Sequence, residues 1–512
     1  MKIITLSRDA GQKDLSEKNE PGLQIPRRFV MRRSVQAITL SAALLVVGCG
    51  SDDSTFNYGF FPNPTSSPVT NPPVAVADSF STLGNSVLSG SVVANDTVNG
   101  ATVTAFQNPS NSGGTVAVTA AGQLTYTPPA NVSNIVDTFT YTLVNSAGSS
   151  TATVTVNVQA RGFFVKNDVA VTGTGTQSNP FKTLAEAVAA ATGVNGAQIV
   201  VFRGDGTSTG MNTPVNLGTN QGIQGQDQAN PPLLTGPVIL TTGNLVQDLR
   251  FANASTAVNG TNASGGTINR IAVNGASNKG VALLGTASGT WSISNSSFAS
   301  VANGTVDAIT ASGSLVLTVS NCTFASSALS GIFVNPTGTA AHNVTVQNSS
   351  FSQGAGGVGE LILNATTTGA TGLNLTNNTV TGGGTASRGI NIATQGATQL
   401  TARILNNTIS GFTNEGLFVS ISGNSSAKMR FEGNRTTGNA ANNGWNNTSG
   451  ATATLQSVYK NNTSDRFNFV GSGGTSFQVE ELANFNTSSG NTGTLSAIGG
   501  VQDVPAGSLN IP

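Results

Sequence analysis

The chain is poor in charge, histidine, tryptophan and cysteine. Charged residues make up 9% of its 512 residues, and the formal net charge is zero. The sequence has no basic excess, so we expect neither a nucleic-acid partner nor electrostatic attraction to an anionic surface. The single histidine, His342, excludes a multi-histidine zinc site, and we place it in a solvated turn. No metal site is predicted.

A short motif recurs every 22 to 29 residues through the second half of the chain. It consists of an apolar residue, one spacer and a polar or small residue, the last being in turn Asp248, Arg270, Asn295, Asn321, Asn348, Asn377, Asn406 and Gly433. A strand-like segment follows at residues 331–334, 361–363, 389–392 and 416–419. The Gly, Ser, Asn and Thr between them supply turns but no helix. Strands that return to register without helices predict a parallel β-helix of roughly nine or ten coils, about 45 Å long.

The alternation within a repeat predicts which residues face inward. In residues 315–324 a period of two places Leu315, Val319 and Asn321 on one face. We therefore expect the motif asparagines to point inward and to stack along the axis as a ladder of hydrogen-bonded amides; they are Asn321, Asn348, Asn377 and Asn406. A phenylalanine recurs three residues after the motif asparagine at 298, 324 and 351, and we predict that these side chains pack in the core.

Residues 173–188 add a further sign. The run Asn179-Pro-Phe-Lys-Thr183 leads into an alanine-rich segment, and Thr183 with Glu186 three residues on forms a predicted capping box. This segment and the repeat together resemble the right-handed parallel β-helix, or pectin-lyase-like, proteins over residues 159–500. The resemblance implies an all-β solenoid with a short capping helix. It implies no single activity, because the fold hosts lyases, hydrolases, esterases, adhesins and passive stalks.

Residues 73–158 show the alternation of a β-sandwich. Segments 124–128, 139–143 and 152–158 are predicted strands with one buried face. With Asp78 and the Asn95-Asp96 pair, they resemble the cadherin-like, Ig-like domains of bacterial surface proteins, which usually act as spacers. Many relatives carry an acidic turn after that pair, but residues 97–100 are Thr-Val-Asn-Gly here. Calcium is therefore not supported, and we predict no cofactor.

The amino-terminal region resembles a bacterial lipoprotein signal. Arg32-Arg33 precedes an apolar run that ends in Val46-Val-Gly-Cys49, so residues 31–49 are predicted as the signal peptide and Cys49 as the lipid attachment site. Residues 1–30 are charged and polar and are expected to be a non-native upstream extension. Residues 50–72 are predicted as a disordered tether rich in Pro, Ser and Thr. By resemblance, Gly50 after the lipidated cysteine favours the outer membrane, surface-exposed or facing the periplasm.

Candidate catalytic groups are few, and carboxylates offer the best case. The position before the second strand of each repeat is occupied by Asp307, Ser330, Glu360, Arg388, Glu415 and Asn443. Stacking of Glu360, Arg388 and Glu415 would form either a salt-bridge ladder or a sugar-binding or acid/base cluster. Asp248 and Arg270, one coil apart, have the same two interpretations.

Two aromatic residues, Trp445 and Tyr459, are candidates for an exposed platform that binds sugar rings. Once Cys49 is lipidated, Cys322 has no partner for an intrachain disulfide, and we place it at a coil turn without chemistry. Residues 501–512 are expected to form a tail that caps the last coil.

The leading hypothesis is a lipid-anchored envelope protein that presents the β-helix for adhesion or for glycan or matrix binding, without catalysis. The first alternative is a polysaccharide lyase or glycoside hydrolase of this fold. The second is an envelope stalk with a purely structural role.

Overall fold

The computed structural model describes residues 71–325, 328–352, 359–383, 388–439, 444–472, 477–486 and 491–512. The predicted signal peptide, Cys49 and most of the predicted tether lie outside the described residues, as does Asn443.

Seven strands form the amino-terminal sandwich, and they are β1 Asp78–Gly84, β2 Leu88–Ser91, β3 Thr102–Phe106, β4 Thr115–Val118, β5 Gln123–Thr127, β6 Ile135–Asn145 and β7 Gly148–Val165. One sheet joins β3, β6, β7 and β1, and the other joins β2, β5 and β4. Alternate residues of these strands enter a common core in which Tyr126 and Phe139 are stacked at 6.3 Å. The three strands predicted from alternation are confirmed.

A single α-helix, α1 Leu184–Ala191, follows among the described residues. The Thr183 hydroxyl accepts from the Glu186 backbone N–H, and the Glu186 carboxylate accepts from the Thr183 N–H at 2.9 Å. The predicted capping box is confirmed. Leu184, Ala187 and Ala191 are buried and belong to the core of the solenoid, so the helix covers the end of the first coil.

The solenoid consists of short strands from here to the carboxyl end. The first are β8 Gln198–Val201, β9 Val215–Asn216, β10 Gly222–Gly225, β11 Leu233–Leu234, β12 Val238–Ile239, β13 Thr242–Ala252, β14 Thr256–Asn259 and β15 Ser264–Asn274. The next are β16 Lys279–Gly285, β17 Ser288–Ser294, β18 Ser297–Ala299, β19 Val306–Thr310, β20 Ser314–Ser320, β21 Thr323–Ala325, β22 Ile332–Gly338, β23 Ala341–Gln347 and β24 Ser350–Ser352.

The repeat continues with β25 Leu361–Thr367, β26 Ala370–Thr376, β27 Thr379–Thr381, β28 Ile390–Thr394, β29 Gln399–Leu405, β30 Thr408–Ser410, β31 Leu417–Ile421, β32 Ser426–Glu432 and β33 Arg435–Thr437. The last strands are β34 Trp445–Ser449, β35 Thr454–Lys460, β36 Thr463–Gly471, β37 Phe477–Glu480, β38 Thr492–Gly499 and β39 Val501–Val504, with a short 3-10 helix, Leu482–Asn484, after β37.

These strands stack into three parallel sheets over about ten turns. Sheet A contains β16, β19, β22, β25, β28, β31 and β34. Sheet B contains β17, β20, β23, β26, β29, β32 and β35. Sheet C contains β18, β21, β24, β27, β30 and β33. The parallel β-helix predicted from the repeat is confirmed, and the predicted second strand segments are the strands of sheet A.

The motif residues form the sharp corner between sheet B and sheet C. From Asp248 to Asn406 each has a left-handed backbone, with φ between +51° and +56°, and Gly433 has φ +65°. Asparagine and glycine are the residues that adopt this conformation at least cost. The asparagine side chains at these corners are exposed, so the prediction that Asn321, Asn348, Asn377 and Asn406 point inward is wrong.

The inward amide ladder exists, but it is built from the next residue of each coil. Its members are buried, and they are Asn378, Asn407, Asn434, Asn462 and Asn491. In each of the first four, Nδ2 donates to the Oδ1 of the next asparagine at 2.9–3.0 Å, and that same oxygen accepts the backbone N–H. The left-handed residue breaks the period of two, which shifts the inward side by one residue.

Aromatic residues fill much of the interior. Phe298, Phe324 and Phe351 are buried and stack at 5.2 and 4.6 Å, which confirms the prediction that they pack in the core. Trp445 and Tyr459 are 0% and 1% exposed and belong to an aromatic cluster in the last coils. The prediction of an exposed platform at these two residues is therefore wrong.

His342 lies inside β23 with 1% exposure, where its Nε2 contacts the Thr310 hydroxyl at 2.8 Å. Burial lowers its pKa to about 4, so the ring is neutral. The prediction of a solvated turn is wrong at this residue. Cys322 is buried directly after a corner, and burial raises the pKa of its thiol to about 11, which disfavours the reactive thiolate.

One strand joins the sandwich to the solenoid. β7 pairs with β6 through most of its length, and its last four residues pair with β8. At the same junction Gln177 Oε1 accepts from Ser86 Oγ at 2.8 Å and from the Val87 N–H at 2.6 Å. The predicted boundary at residue 158 thus falls within a continuous strand. No helix in the described part of the chain is long and apolar enough to cross a membrane.

Candidate functional site

The outer face of sheet A is bordered by Arg388 and Glu415, two of the ionisable residues that the sequence singled out. Its strands send alternate residues outward, and register places Phe333, Ile362, Asn391, Phe418 and Asn446 in one column. These side chains are half-buried, except for Ile362, which is buried. A neighbouring outward column contains Asn335 and Asn364. The candidate site is this face, flanked by the residues that lead into each strand of sheet A.

Arg388 and Glu415 form the best-ordered part of the site. Arg388 Nε donates to Glu415 Oε2 at 2.8 Å, and its guanidinium lies 3.8 Å from the centroid of the Phe418 ring. Asn446 Nδ2 donates to the other carboxylate oxygen at 3.1 Å. Burial raises the pKa of Glu415, but the hydrogen bonds from Arg388 and Asn446 outweigh it and leave the pKa lowered. Glu415 is therefore ionised and held in place.

Glu360 does not join this pair. Leu361 pairs with Ile390, so Glu360 lies opposite Gly389, one position later than the column of Arg388 and Glu415. The predicted three-residue stack of Glu360, Arg388 and Glu415 is therefore wrong in register. Asp307 is likewise displaced, because it pairs with Phe333 inside the sheet.

The environment of Glu360 is unusual for a carboxyl group. The side chain is 1% exposed, and its Oε1 has no hydrogen-bond partner among the described residues. Burial raises its pKa to about 8, although a hydrogen bond from the Gly331 backbone partly opposes the shift. A Cβ at Gly331 would lie 2.9 Å from Glu360 Oε2, so only glycine leaves room for the carboxyl group. Glu360 is protonated at neutral pH.

Two further ion pairs involve carboxylates that the sequence singled out, Asp307 and Asp248. Asp307 is buried and pairs with Lys279, a partner that the sequence analysis missed because the two residues are 28 positions apart and belong to different motifs. Asp248 and Arg270, which the sequence aligned, form a bidentate pair at 2.6 and 2.8 Å. This pair lies at the corner of sheets B and C, away from sheet A. It links two successive left-handed corners.

Comparisons with protein families support both parts of the chain. Residues 70–157 match the bacterial Ig domain, and residues 279–464 match the right-handed beta helix region. The chain carries a bacterial Ig domain and a right-handed β-helix. No curated protein and no solved structure matches it significantly. The Ig domain is typical of extracellular or surface proteins, and the β-helix region is compatible with a carbohydrate-related role; neither identifies a ligand.

The outward amides of sheet A were not singled out from the sequence. Asn335 and Asn364 reach the surface, and Asn391 has a buried Oδ1 without a partner among the described residues. Alternation within the strands of sheet A could have revealed them, because the residues between the inward apolar positions must face outward. Across the described ranges, no three His, Cys, Asp or Glu side chains converge as metal ligands.

Proposed function

We propose that the β-helix binds polysaccharide along the outer face of sheet A and does not cleave it. The observation that carries this proposal is that the ionisable side chains there are either paired with one another or buried. Arg388 and Glu415 bind each other, Asp307 binds Lys279, and Glu360 is buried. The outward amides Asn335 and Asn364 have no hydrogen-bond partner among the described residues. They can therefore exchange hydrogen bonds with hydroxyl-rich chains, at the repeat of about 4.8 Å set by strand stacking.

The arrangement argues against acid/base chemistry at this face. A general acid must come within hydrogen-bond reach of the glycosidic oxygen, and Glu360 is 1% exposed. A catalytic base or nucleophile must also be able to reach the sugar, but both carboxylate oxygens of Glu415 already accept hydrogen bonds from Arg388 and Asn446. These contacts stabilise the sheet and leave binding as the role the geometry supports best.

A catalytic role is the second candidate, and it rests on Glu360. A carboxyl group that keeps its proton at neutral pH is what a glycosidase uses as its general acid. Binding of a chain that displaced the covering residues would be required to bring Glu360 into contact with substrate. Release of reducing or unsaturated ends that stops in Glu360→Gln would favour this candidate.

The deciding experiment incubates the chain from Gly50 onward, which contains every described residue, with a panel of acidic and neutral polysaccharides. Retention and the release of reducing or unsaturated ends are both measured. We expect retention of a neutral polysaccharide without cleavage, and about tenfold weaker retention in Asn364→Ala, a surface change that leaves the core intact. Asn424→Ala, at an exposed turn after β31, is the matched control and should bind like the parent.

Two outcomes would overturn the proposal. Cleavage that is lost in Glu360→Gln or Arg388→Ala would make the protein a lyase or glycosidase with its site on sheet A. The absence of both retention and cleavage across the panel would instead favour a protein ligand in the surrounding matrix or a structural stalk.

We further propose that Cys49 is lipidated and that the Ig domain acts as a spacer between an outer-membrane anchor and the β-helix. The support is the lipobox-like run before Cys49 and the continuous strand β7, which couples the spacer to the solenoid. Metabolic labelling with a fatty-acid analogue should mark the parent protein and leave Cys49→Ser unlabelled. Equal labelling of both proteins would refute the anchor.

A further inference from the structure

The corner between sheets B and C has a second regularity besides its backbone conformation. Six of its left-handed residues are exposed asparagines, and they are Asn295, Asn321, Asn348, Asn377, Asn406 and Asn461. We call these six residues the corner asparagines. Each is followed two residues later by a serine or threonine, and these are Ser297, Thr323, Ser350, Thr379, Thr408 and Thr463.

The hydroxyl residue accompanies the asparagine rather than the corner itself. Three left-handed corners of the same row have another residue, namely Asp248, Arg270 and Gly433. The residues two positions after them are Arg250, Ala272 and Arg435, so none of the three is followed by serine or threonine at that position. A strand position that merely favoured hydroxyl side chains would not distinguish the two kinds of corner.

The fold brings the asparagine and the hydroxyl residue to the same outer surface. The residue between them is buried in all six coils and is never proline. At Asn377, for example, the intervening residue is Asn378 of the buried ladder, and both Asn377 and Thr379 are exposed. Asn-x-Ser/Thr without proline at the middle position, presented on a surface, is the acceptor pattern for N-linked sugars.

The side-chain nitrogens of the corner asparagines are accessible. Three consecutive Asn-x-Ser/Thr segments, from Asn321 to Thr379, line an open groove of about 440 Å³. Asn377 Nδ2 makes one long hydrogen bond, to Asn348 Oδ1 at 3.3 Å, and Asn406 Nδ2 has no acceptor among the described residues. Little is therefore lost when one of these nitrogens forms a bond to another group.

Other copies of the same pattern lie inside the solenoid. They are Asn434-Arg-Thr436, Asn447-Thr-Ser449 and Asn462-Thr-Ser464, in which the asparagine and the hydroxyl residue are both buried. The Nδ2 atoms of Asn434 and Asn462 also donate within the ladder. The folded chain thus provides accessible and inaccessible copies of one motif, and the inaccessible ones serve as internal controls.

We propose that the corner asparagines are sites of N-linked glycosylation by a separate glycosyltransferase. In this reaction Nδ2 forms a bond to the anomeric carbon of a sugar that is activated as its phosphate or diphosphate ester. The bond from that carbon to the phosphate oxygen breaks, the phosphate group leaves with the bonding electrons, and the amide nitrogen gives up one proton. The inference does not depend on polysaccharide binding at sheet A.

The composition of the chain is consistent with such a modification. Charged residues make up only 9% of it, whereas about 25% is usual for soluble domains. Sugars at the corners would supply the hydration that charged side chains supply on other protein surfaces. Neighbouring corners lie about 4.8 Å apart, so bound sugars crowd one another, and we expect each corner to be occupied in only a fraction of the molecules.

The test is peptide mapping by mass spectrometry of the protein isolated from the cells that produce it. We expect a fraction of the peptides with Asn377 to carry the added mass of a sugar, and fragmentation should locate that mass on the asparagine. The buried asparagines Asn434, Asn447 and Asn462 should carry none.

Two variants of strand β27 form a matched pair. Thr379→Val removes the hydroxyl two residues after Asn377, whereas Thr381→Val removes an exposed hydroxyl from the same face of the same strand, outside any Asn-x-Ser/Thr pattern. Valine is well suited to a strand, so both variants should fold. We expect sugar occupancy of Asn377 to fall at least about tenfold in Thr379→Val and to stay within about twofold of the parent in Thr381→Val.

Three outcomes would overturn this inference. They are the absence of sugar on Asn377 in the parent, occupancy of the buried asparagines equal to that of the corner asparagines, and equal losses in the two valine variants. Retention of a neutral polysaccharide through sheet A should be unchanged in Thr379→Val, which separates failure of this inference from failure of the proposed function.

Discussion

Two adjacent residues at each corner of sheets B and C have opposite environments. Asn406 is left-handed and exposed, whereas Asn407 is fully buried and hydrogen-bonded to the coils on both sides. At the first position asparagine is suited to the left-handed backbone, and at the second its side-chain amide makes the buried hydrogen bonds. Earlier coils show that the two roles are separable, because the buried position is Leu249 in one coil and Ile271 in the next.

The largest effect is expected from breaking the buried ladder at its centre. Asn407→Ala removes the acceptor that the Asn378 N–H and Nδ2 share and the side-chain donor to the Leu375 carbonyl, so the Asn378 N–H is left buried without this partner. We expect a loss of about 3 kcal/mol in the free energy of unfolding. Urea denaturation followed by circular dichroism measures it. A loss below about 1 kcal/mol would show that water replaces the hydrogen bonds of the Asn407 amide.

Glu360 is buried like the ladder asparagines, but its side chain can ionise. The stability that it contributes should therefore depend on pH. Its folded-state pKa of about 8 exceeds the ordinary glutamate pKa of 4.5, so the folded chain keeps a proton that the unfolded chain releases. Stability should therefore fall as pH rises from 6.5 to 8, by up to about 2 kcal/mol. Urea denaturation across this range should show a shallower slope in Glu360→Gln. An unchanged slope would contradict the assignment.

The ion pair between Asp248 and Arg270 tests the corner position in coils where the left-handed residue is not asparagine. Arg270→Asn installs the residue that later coils use in the left-handed conformation, but it leaves the buried Asp248 carboxylate without its partner. We expect a net loss of about 1–2 kcal/mol, because Arg270 is partly exposed and the pair is screened by solvent. The double variant Asp248→Asn/Arg270→Asn should recover most of it. If the single variant is as stable as the parent, the ion pair contributes nothing.

The smallest effect concerns the exposed corner residue itself. Asn406→Gly keeps the left-handed backbone accessible and should change the unfolding free energy by only a few tenths of a kcal/mol, whereas Asn406→Ala should cost about 1 kcal/mol. Thermal unfolding of the two variants side by side gives the comparison. Equal stabilities would mean that backbone conformation does not select the residue at this corner.

The errors of the sequence analysis come from specific features of the tertiary structure. Trp445 appeared available for sugar binding, but it is packed with Phe431 and Phe467 inside the last coils. The predicted stack of Glu360 on Arg388 is wrong because Glu360 occupies the position that Gly331, Gly389 and Gly416 hold in the other coils, and a shift of one residue moves a side chain to another column. Arg388 and Glu415 are aligned because each directly precedes the glycine before its strand, Gly389 and Gly416.

The sequence by itself determined the parallel β-helix, the Ig-like sandwich, the capping box and the phenylalanine stack. Each follows from a local period or motif that repeats within or between coils. Only the tertiary structure decided which corner asparagine points inward, which carboxyl groups find partners and which aromatic residues are buried. The physical reason is that one left-handed residue resets the inward and outward alternation, and contacts between coils then depend on register rather than on local pattern.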